Sequence, residues 1–453
     1  MRLALAPLVV VGIFGTPDFS PGQEDQEFTM ALTGDSIITR KLSVFREPQF
    51  LEMIELIRDA DMAFTNLEML FHDYEPYPMH SSGGTYMRGD PQLAEELVWA
   101  GFDMVARANN HTGDYGVLGM NLTTKYVAEA GLVQAGAGAS LYEAREAKYL
   151  QTHEARVALI SVASTFPDHS RAGKSRGDIP ARPGLNPLRH TSTRVLAADD
   201  FQTLSDALTE IGMRGGGRGG RGGRGGQRMN VFGTQVVSGE ESGTRTTPNQ
   251  EDMDEISAVV RSASNMADYT IVTIHAHESG RGRSTPADFL VTFARAMIDA
   301  GADVMVGHGP HVLRGIEIYK GKPILYSLGD FLFQNETLLR LPAENYRTYG
   351  LGADKHVGDF NDSRYGMDQR GFPAQRETWE SVVAVLDWRD GQLSAVRLHP
   401  ISLGFGQPRT KRGRPMFADE ELGGKILNDL IERSAPFGTR IDVVDGVGVI
   451  QIR

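Results

Sequence analysis

GADVMVGHGPHVLRGIEIYKGKPILYSLGDFLF, residues 301–333, reads as a buried strand, a histidine-bearing loop and a hairpin in succession. The apolar core Val304-Met305-Val306 stops at Gly307, and His308 and His311 follow on either side of Gly309-Pro310. Residues 316–319 and 323–328 read as two strands joined by the tight turn Lys320-Gly321-Lys322. Open α/β sheets hold their ligands at the carboxyl ends of buried strands, and neutral imidazole is the commonest side-chain ligand for transition metals. Two turn histidines fit a loop with no ligand equally well, so the rest of the chain must decide.

Upstream, further apolar runs end in donors of metal-ligand type. Residues 28–33 lead into Gly34-Asp35, and 61–66 lead into Asn66-Leu67-Glu68. The run 102–106 delivers Asn110-His111 and Asp114, and 269–274 ends in His275-Ala276-His277-Glu278. Helical spacing separates them: 48–59 carries Leu51, Ile54 and Ile57 behind Pro48, and 91–100, 117–130, 256–267 and 286–300 read likewise. A further apolar strand covers 156–162. This alternation predicts a largely parallel sheet covered by helices. Parallel strands set their C-terminal tips along one edge. Asp35, Glu68, Asn110 with His111, His275 with His277, and His308 with His311 can therefore converge. Carboxylate, amide and imidazole donors without thiolate suit Mn, Fe or Zn better than Mg. Competing readings stand beside these: Asp35 as a helix cap, Glu68 and Asn66 closing a turn, Asp114 as structural, and His277 turned away from His275 if the strand stops early. Arg88 and His80, in the loop before the helix at Pro91, are read as surface residues.

The 453-residue chain is long enough for a large core, with a formal charge of −12 and no cysteine. Disulfides and thiolate ligands are excluded, and spread acidity argues against nucleic acid or anionic membrane as a whole-surface partner. Met1-Arg2 and the apolar run 3–15, interrupted by Pro7, resemble an export signal too short to span a bilayer. Residues 1–26 are read as that signal-like segment and linker, which places the protein outside the cytoplasm. From 164 to 251 the pattern is lost; the arginine–glycine run 214–226 is read as part of a flexible insertion rather than an RNA-binding segment. A second irregular insertion covers about 340–376. A β-hairpin over 381–398 follows, and 409–453 holds a C-terminal helix and a weak tail.

The motifs "GD", "NLE", "NNHTGDYG", the histidine-rich strand end and the 301–333 stretch together resemble the CapA family of capsule-synthesis and poly-γ-glutamate biosynthesis proteins, a branch of the calcineurin-like metallophosphatases. The resemblance covers about 28–403 and implies an α/β fold, a four-layer α/β/β/α sandwich of the calcineurin-like metallophosphoesterase type, over 27–408. Carried over by position, it implies Asp35, Glu68, Asn110, His275, His308 and His311 as ligands of one or two divalent ions. It also implies His111 as the acid that protonates a leaving group, with Asp114 orienting it. The activity implied is a metal-dependent hydrolase in capsule or poly-γ-glutamate biosynthesis, with metal-activated water attacking a phosphoester or amide of an anionic polymer. The alternative is a non-catalytic polymer assembly or export factor with a metal-stabilised fold. Several positions depart from the family pattern: Ile37 stands where the superfamily has histidine, His277 replaces the glycine of "HWGxE" with Glu278 one position early, Gly309 replaces the middle histidine of "GHHPH", and Asp330 replaces the asparagine of "SLGNF".

Overall fold

In a computed structural model, which describes residues 27–213 and 228–452, the apolar runs form two large sheets, where strand–helix alternation alone predicts one and the family resemblance implies two. The first has Glu27–Ile37 at its centre. Met62–Leu67, Met104–Ala106 and Val133–Ala135 follow on one side, all parallel. The hairpin Glu380–Arg389 and Gln392–Ser402 lies antiparallel on the other. The second sheet has parallel Arg156–Ala163, Tyr269–His275, Val304–His308 and Lys322–Leu325, edged by antiparallel Lys148–Gln151 and Ile316–Tyr319.

Alternation along each strand builds the layers. Met30, Leu32, Phe64 and Met104 of the first sheet share one apolar cluster with Leu159, Ile271, Val304 and Val306 of the second. Their neighbours point the other way. Ala31, Ala63 and Val105 pack against Phe50 and Ile54 of helix Pro48–Arg58 and Leu97 of helix Leu93–Trp99. Ile160, Val272 and Ile274 pack against Ile256 and Val260 of helix Gln250–Ser264 and Phe289 and Phe293 of helix Asp288–Asp299. Both faces of these strands are buried, which is why they read as continuous apolar runs.

Three stretches differ from their sequence reading. Residues 164–251 are not patternless. Arg228–Val231, Thr234–Gly239, His190–Ala197 and Gly243–Pro248 form a separate four-stranded sheet. Helix Ala198–Glu210 covers it over a small core of Phe201, Leu208, Met229 and Val236. Strands such as GTRTTP are largely exposed, so little hydrophobic alternation marks them. The second insertion contains helices Ala343–Thr348 and Val357–Tyr365. The latter buries Asn361 beside Val357 and Phe360, which blurs its amphipathic signal. The C-terminal helix Glu420–Ser434 places Ile426, Leu427 and Leu430 in the central cluster, and Val447–Gln451 joins the first sheet at Gln392–Ser402. The export-signal segment 1–26 and the arginine–glycine run 214–226 lie outside the described residues. Among the described residues no helix is long and apolar enough to cross a membrane.

Candidate metal centre

Where the first strand ends, the chain passes so close to the turn before Asp330 that a Cβ on Gly34 would lie 1.9 Å from the Gly329 carbonyl oxygen. Glycine is required there, and Asp35 follows with its carboxylate between the two sheets. Asn66, its register partner, donates to Oδ1 at 2.6 Å, and the Gly309 N–H donates to Oδ2 at 2.8 Å. Asp35 is thus no helix cap. Gly309 has φ +112°, a conformation that a side chain at this position would strain, which accounts for glycine where the family pattern has histidine.

The second sheet sets His275 opposite His308 in register, with their Nδ1 atoms 3.1 Å apart. Asp35 Oδ1 lies 3.6 Å from His275 Nδ1 and 3.5 Å from His308 Nδ1. Glu68 Oε1 lies 3.6 Å from His275 Nε2, 3.9 Å from His311 Nε2 and 3.8 Å from His111 Nε2. His277 Nε2 stands 3.0 Å from His275 Nε2, so it turns to the same side even though the strand ends at His275. The donor atoms form overlapping groups within 4.8 Å: Asp35, His275 and His308; Glu68, His275 and His277; and Asp35, Glu68, His311 and Asp330.

His111 and Asp114 form a second unit beside this cluster. His111 Nδ1 is 2.7 Å from Asp114 Oδ2. The Gly83 and Met87 N–H groups each donate to the Asp114 carboxylate at 2.9 Å. The imidazole is therefore held with Nε2 towards Glu68. Asn110 donates through Nδ2 to the Gly83 carbonyl, leaving its buried Oδ1 without a partner. All eight residues singled out from sequence come together here.

Asp330 belongs to the same cluster, although the sequence reading noted it only as a departure from "SLGNF". Its Oδ1 is 2.8 Å from His311 Nδ1. It pairs in register with Asp35, and the substitution of asparagine by a carboxylate was the signal that could have found it. His311 itself sits in the left-handed region, φ 55°, a conformation that costs about 1 kcal/mol or more and persists where the surroundings impose it. Arg88, expected at the surface, is buried; it pairs with Asp73 at 2.9 Å and stacks on Tyr74.

The electrostatics ask for a cation. Burial, then repulsion from Asp35, Asp330 and Asp114, raises the Glu68 carboxyl well above its usual range. Burial pushes Asp330 up to about 6, with His311 pulling the other way. His275 and His277 are pushed well below the ordinary imidazole value by burial, and His308 is pushed down to about 3. Burial alone would lower His311, but the carboxylate of Asp330, with Asp35 behind it, raises it instead. Neutral imidazoles facing one another across 3.1 Å, and buried Glu68, Asn110 and Asp330 oxygens with no hydrogen-bond partner, are a costly arrangement by themselves. These N and O donors fit a divalent transition-metal ion. A cavity of about 380 Å³ opens over them, lined among others by Asn110, His111, His277, Arg283, His311 and Arg364.

Over residues 29–335 the chain matches the family described as Bacterial capsule synthesis protein PGA_cap, a span that contains every residue of this cluster. Uncharacterized protein y4sH of Sinorhizobium fredii is 38% identical over 442 residues, covering 94% of this chain and 93% of that protein. Capsule biosynthesis protein CapA of Bacillus anthracis is 24% identical over 318 residues, 69% of this chain and 61% of its own length. Probable polyglutamine synthesis accessory protein Rv0574c of Mycobacterium tuberculosis is 30% identical over 226 residues, 50% of this chain and 43% of its own.

Proposed function

The chain belongs to the bacterial capsule synthesis protein family PGA_cap, and from that premise we propose that it is a metal-dependent hydrolase acting on an anionic polymer of the cell envelope. In this reading residues 27–408 form a four-layer α/β/β/α domain of the calcineurin-like type, completed by the C-terminal helix, and the protein works outside the cytoplasm. The observation that carries the proposal is the convergence of buried, unpartnered carboxylate and amide oxygens with facing neutral imidazoles from both sheets.

Asp35, Glu68, Asn110, His275, His308 and His311 would hold the ion or ions, with Asp330 and His277 as further donors. A divalent ion there, Mn, Fe or Zn, supplies Lewis-acid polarisation of the scissile bond and lowers the pKa of attacking water. The protein's own part is proton delivery and positioning. Asp114 accepts a hydrogen bond from His111 Nδ1–H, which fixes the ring's orientation, and His111 Nε2 is placed to protonate the leaving group at the cavity. Asn66 and Gly309 lock the Asp35 carboxylate by donating to its two oxygens.

The test is turnover of a chromogenic phosphodiester and a γ-glutamyl anilide by protein loaded separately with Mn, Fe and Zn, beside His111→Asn. We expect turnover with at least one pairing, lowered about 10²–10⁴-fold in the variant. Full metal occupancy with no turnover of either would refute the hydrolase and leave the assembly factor.

A further inference from the structure

The cavity over the cluster does not end at the metal centre. A second hollow of about 490 Å³, lined also by Tyr349, Tyr365 and Arg370, shares Arg364, Phe372 and Gln375 with it. The two hollows adjoin across these shared residues as one groove lining, and the outer one is built from the 340–376 insertion.

Three guanidinium groups line this groove: Arg283, Arg364 and Arg370. Neutral acceptors hold each of them. Arg283 donates to the Pro310 carbonyl at 2.8 Å and Gln375 Oε1 at 2.6 Å. Arg364 donates to the Thr85 hydroxyl and packs against the Tyr365 ring, 5.1 Å from its centre. Arg370 donates to the carbonyls of Arg364 at 3.0 Å and Ser363 at 2.8 Å. Among the described residues none of the three has a carboxylate within 4.0 Å; the acids acting on Arg283 from further away are Asp330 and Glu377. Three neighbouring arginines are paired with acids. Arg376 bonds Glu380, Arg409 bonds Asp362 and Asp368, and Arg412 bonds Glu336 and Asp368. These three pairs neutralise their arginines internally, whereas along the groove the guanidinium charge is fixed in place by neutral acceptors and has no carboxylate beside it. A planar fork held this way suits a carboxylate or phosphate in bidentate contact.

We propose that this groove is the binding track for an extended polyanion with an acidic group on each repeat. Arg283 and Arg364 grip the anionic groups next to the metal centre, and Arg370 grips one further out. The proposal extends the hydrolase reading by naming what presents the scissile bond, and binding along the track requires no metal.

The experiment uses the metal-stripped full chain and fluorescence anisotropy with two labelled probes, a γ-linked glutamate decamer and a polyphosphate of matched length. At least one probe is expected to bind, with affinity falling as salt is raised and on the order of ten-fold or more weaker in Arg364→Gln/Arg370→Gln. Preference for the glutamate chain marks a carboxylate track, and preference for polyphosphate a phosphate track. Arg440→Gln, at an exposed site outside the groove, should bind as wild type does. If the double variant melts early, Arg370→Gln alone suffices, because that exposed side chain bonds only carbonyls of its own segment. No binding of either probe, binding indifferent to these substitutions, or stronger binding of single-stranded RNA than of both probes would overturn the proposal. Lost binding with intact turnover of the small chromogenic ester would remove the track and keep the hydrolase. Intact binding without turnover would do the reverse.

Discussion

Glu68→Gln in the metal-free protein gives the sharpest physical test of the cluster. Glu68 is fully buried, neither carboxylate oxygen has a hydrogen-bond partner, and burial followed by the repulsion of three neighbouring carboxylates raises its pKa. The folded, metal-free state therefore keeps a proton that the unfolded chain releases above about pH 4.3. Stability from this group is fully present below that pH. It declines as pH rises, until Glu68 ionises in the folded state as well. The slope is at most about 1.4 kcal/mol per pH unit, so as pH rises from about 7 wild type should lose stability relative to Glu68→Gln, which has no such proton, until Glu68 ionises in the folded state. The buried histidines work on the other side. His275, His277 and His308, lowered by burial, contribute stability that is lost as pH falls below about 6.5, outside this window. His311, raised through Asp330, is shared by both proteins and largely cancels in the difference. The assay is chemical unfolding of metal-stripped wild type and variant at about pH 7, 8 and 9. With saturating metal the order reverses, because ionised Glu68 becomes a ligand and the variant loses that bond. Parallel stability profiles for the two stripped proteins would refute the reasoning.

Two further substitutions separate chemistry from architecture. Asp114→Asn should retain the fold and metal but lower turnover about 10²-fold or more, because the His111 ring loses the carboxylate contact that orients it; steady-state kinetics beside a thermal melt checks it. Gly34→Ala should destabilise the fold by about 1–3 kcal/mol or more and reduce metal content, since its Cβ would overlap the Gly329 carbonyl. Unchanged unfolding would contradict that close crossing.

The donors at the strand tips were legible because strands buried on both faces write themselves as apolar runs, and a carboxylate or imidazole ending such a run stands out. Asp35, Glu68 and His308 were readable on those grounds. That the runs sort into two sheets came only with the family resemblance and not from the pattern, because an apolar run does not name its hydrogen-bonding partner. Met30 and Val304 read alike, yet they meet across the central cluster from different sheets. Asp330 sits in a motif whose family form has asparagine; the replacement by a carboxylate was a signal in the sequence, and its place beside His311 appears only in the fold. The small sheet within 164–251 stayed hidden because strands such as Gly243–Pro248 are mostly exposed and carry almost no apolar residues. The groove arginines were invisible for another reason: Arg283 and Arg364 lie far apart in sequence, and only the folded insertion brings them to one cavity.

Elemental analysis of the purified protein beside His275→Ala and His308→Ala tests the central claim most directly. The two histidines come from adjacent parallel strands and share the Asp35 carboxylate. The account predicts one or two equivalents of Mn, Fe or Zn in the wild type and loss of metal in both variants. Absence of metal under every loading condition, or full occupancy surviving both substitutions, would contradict it.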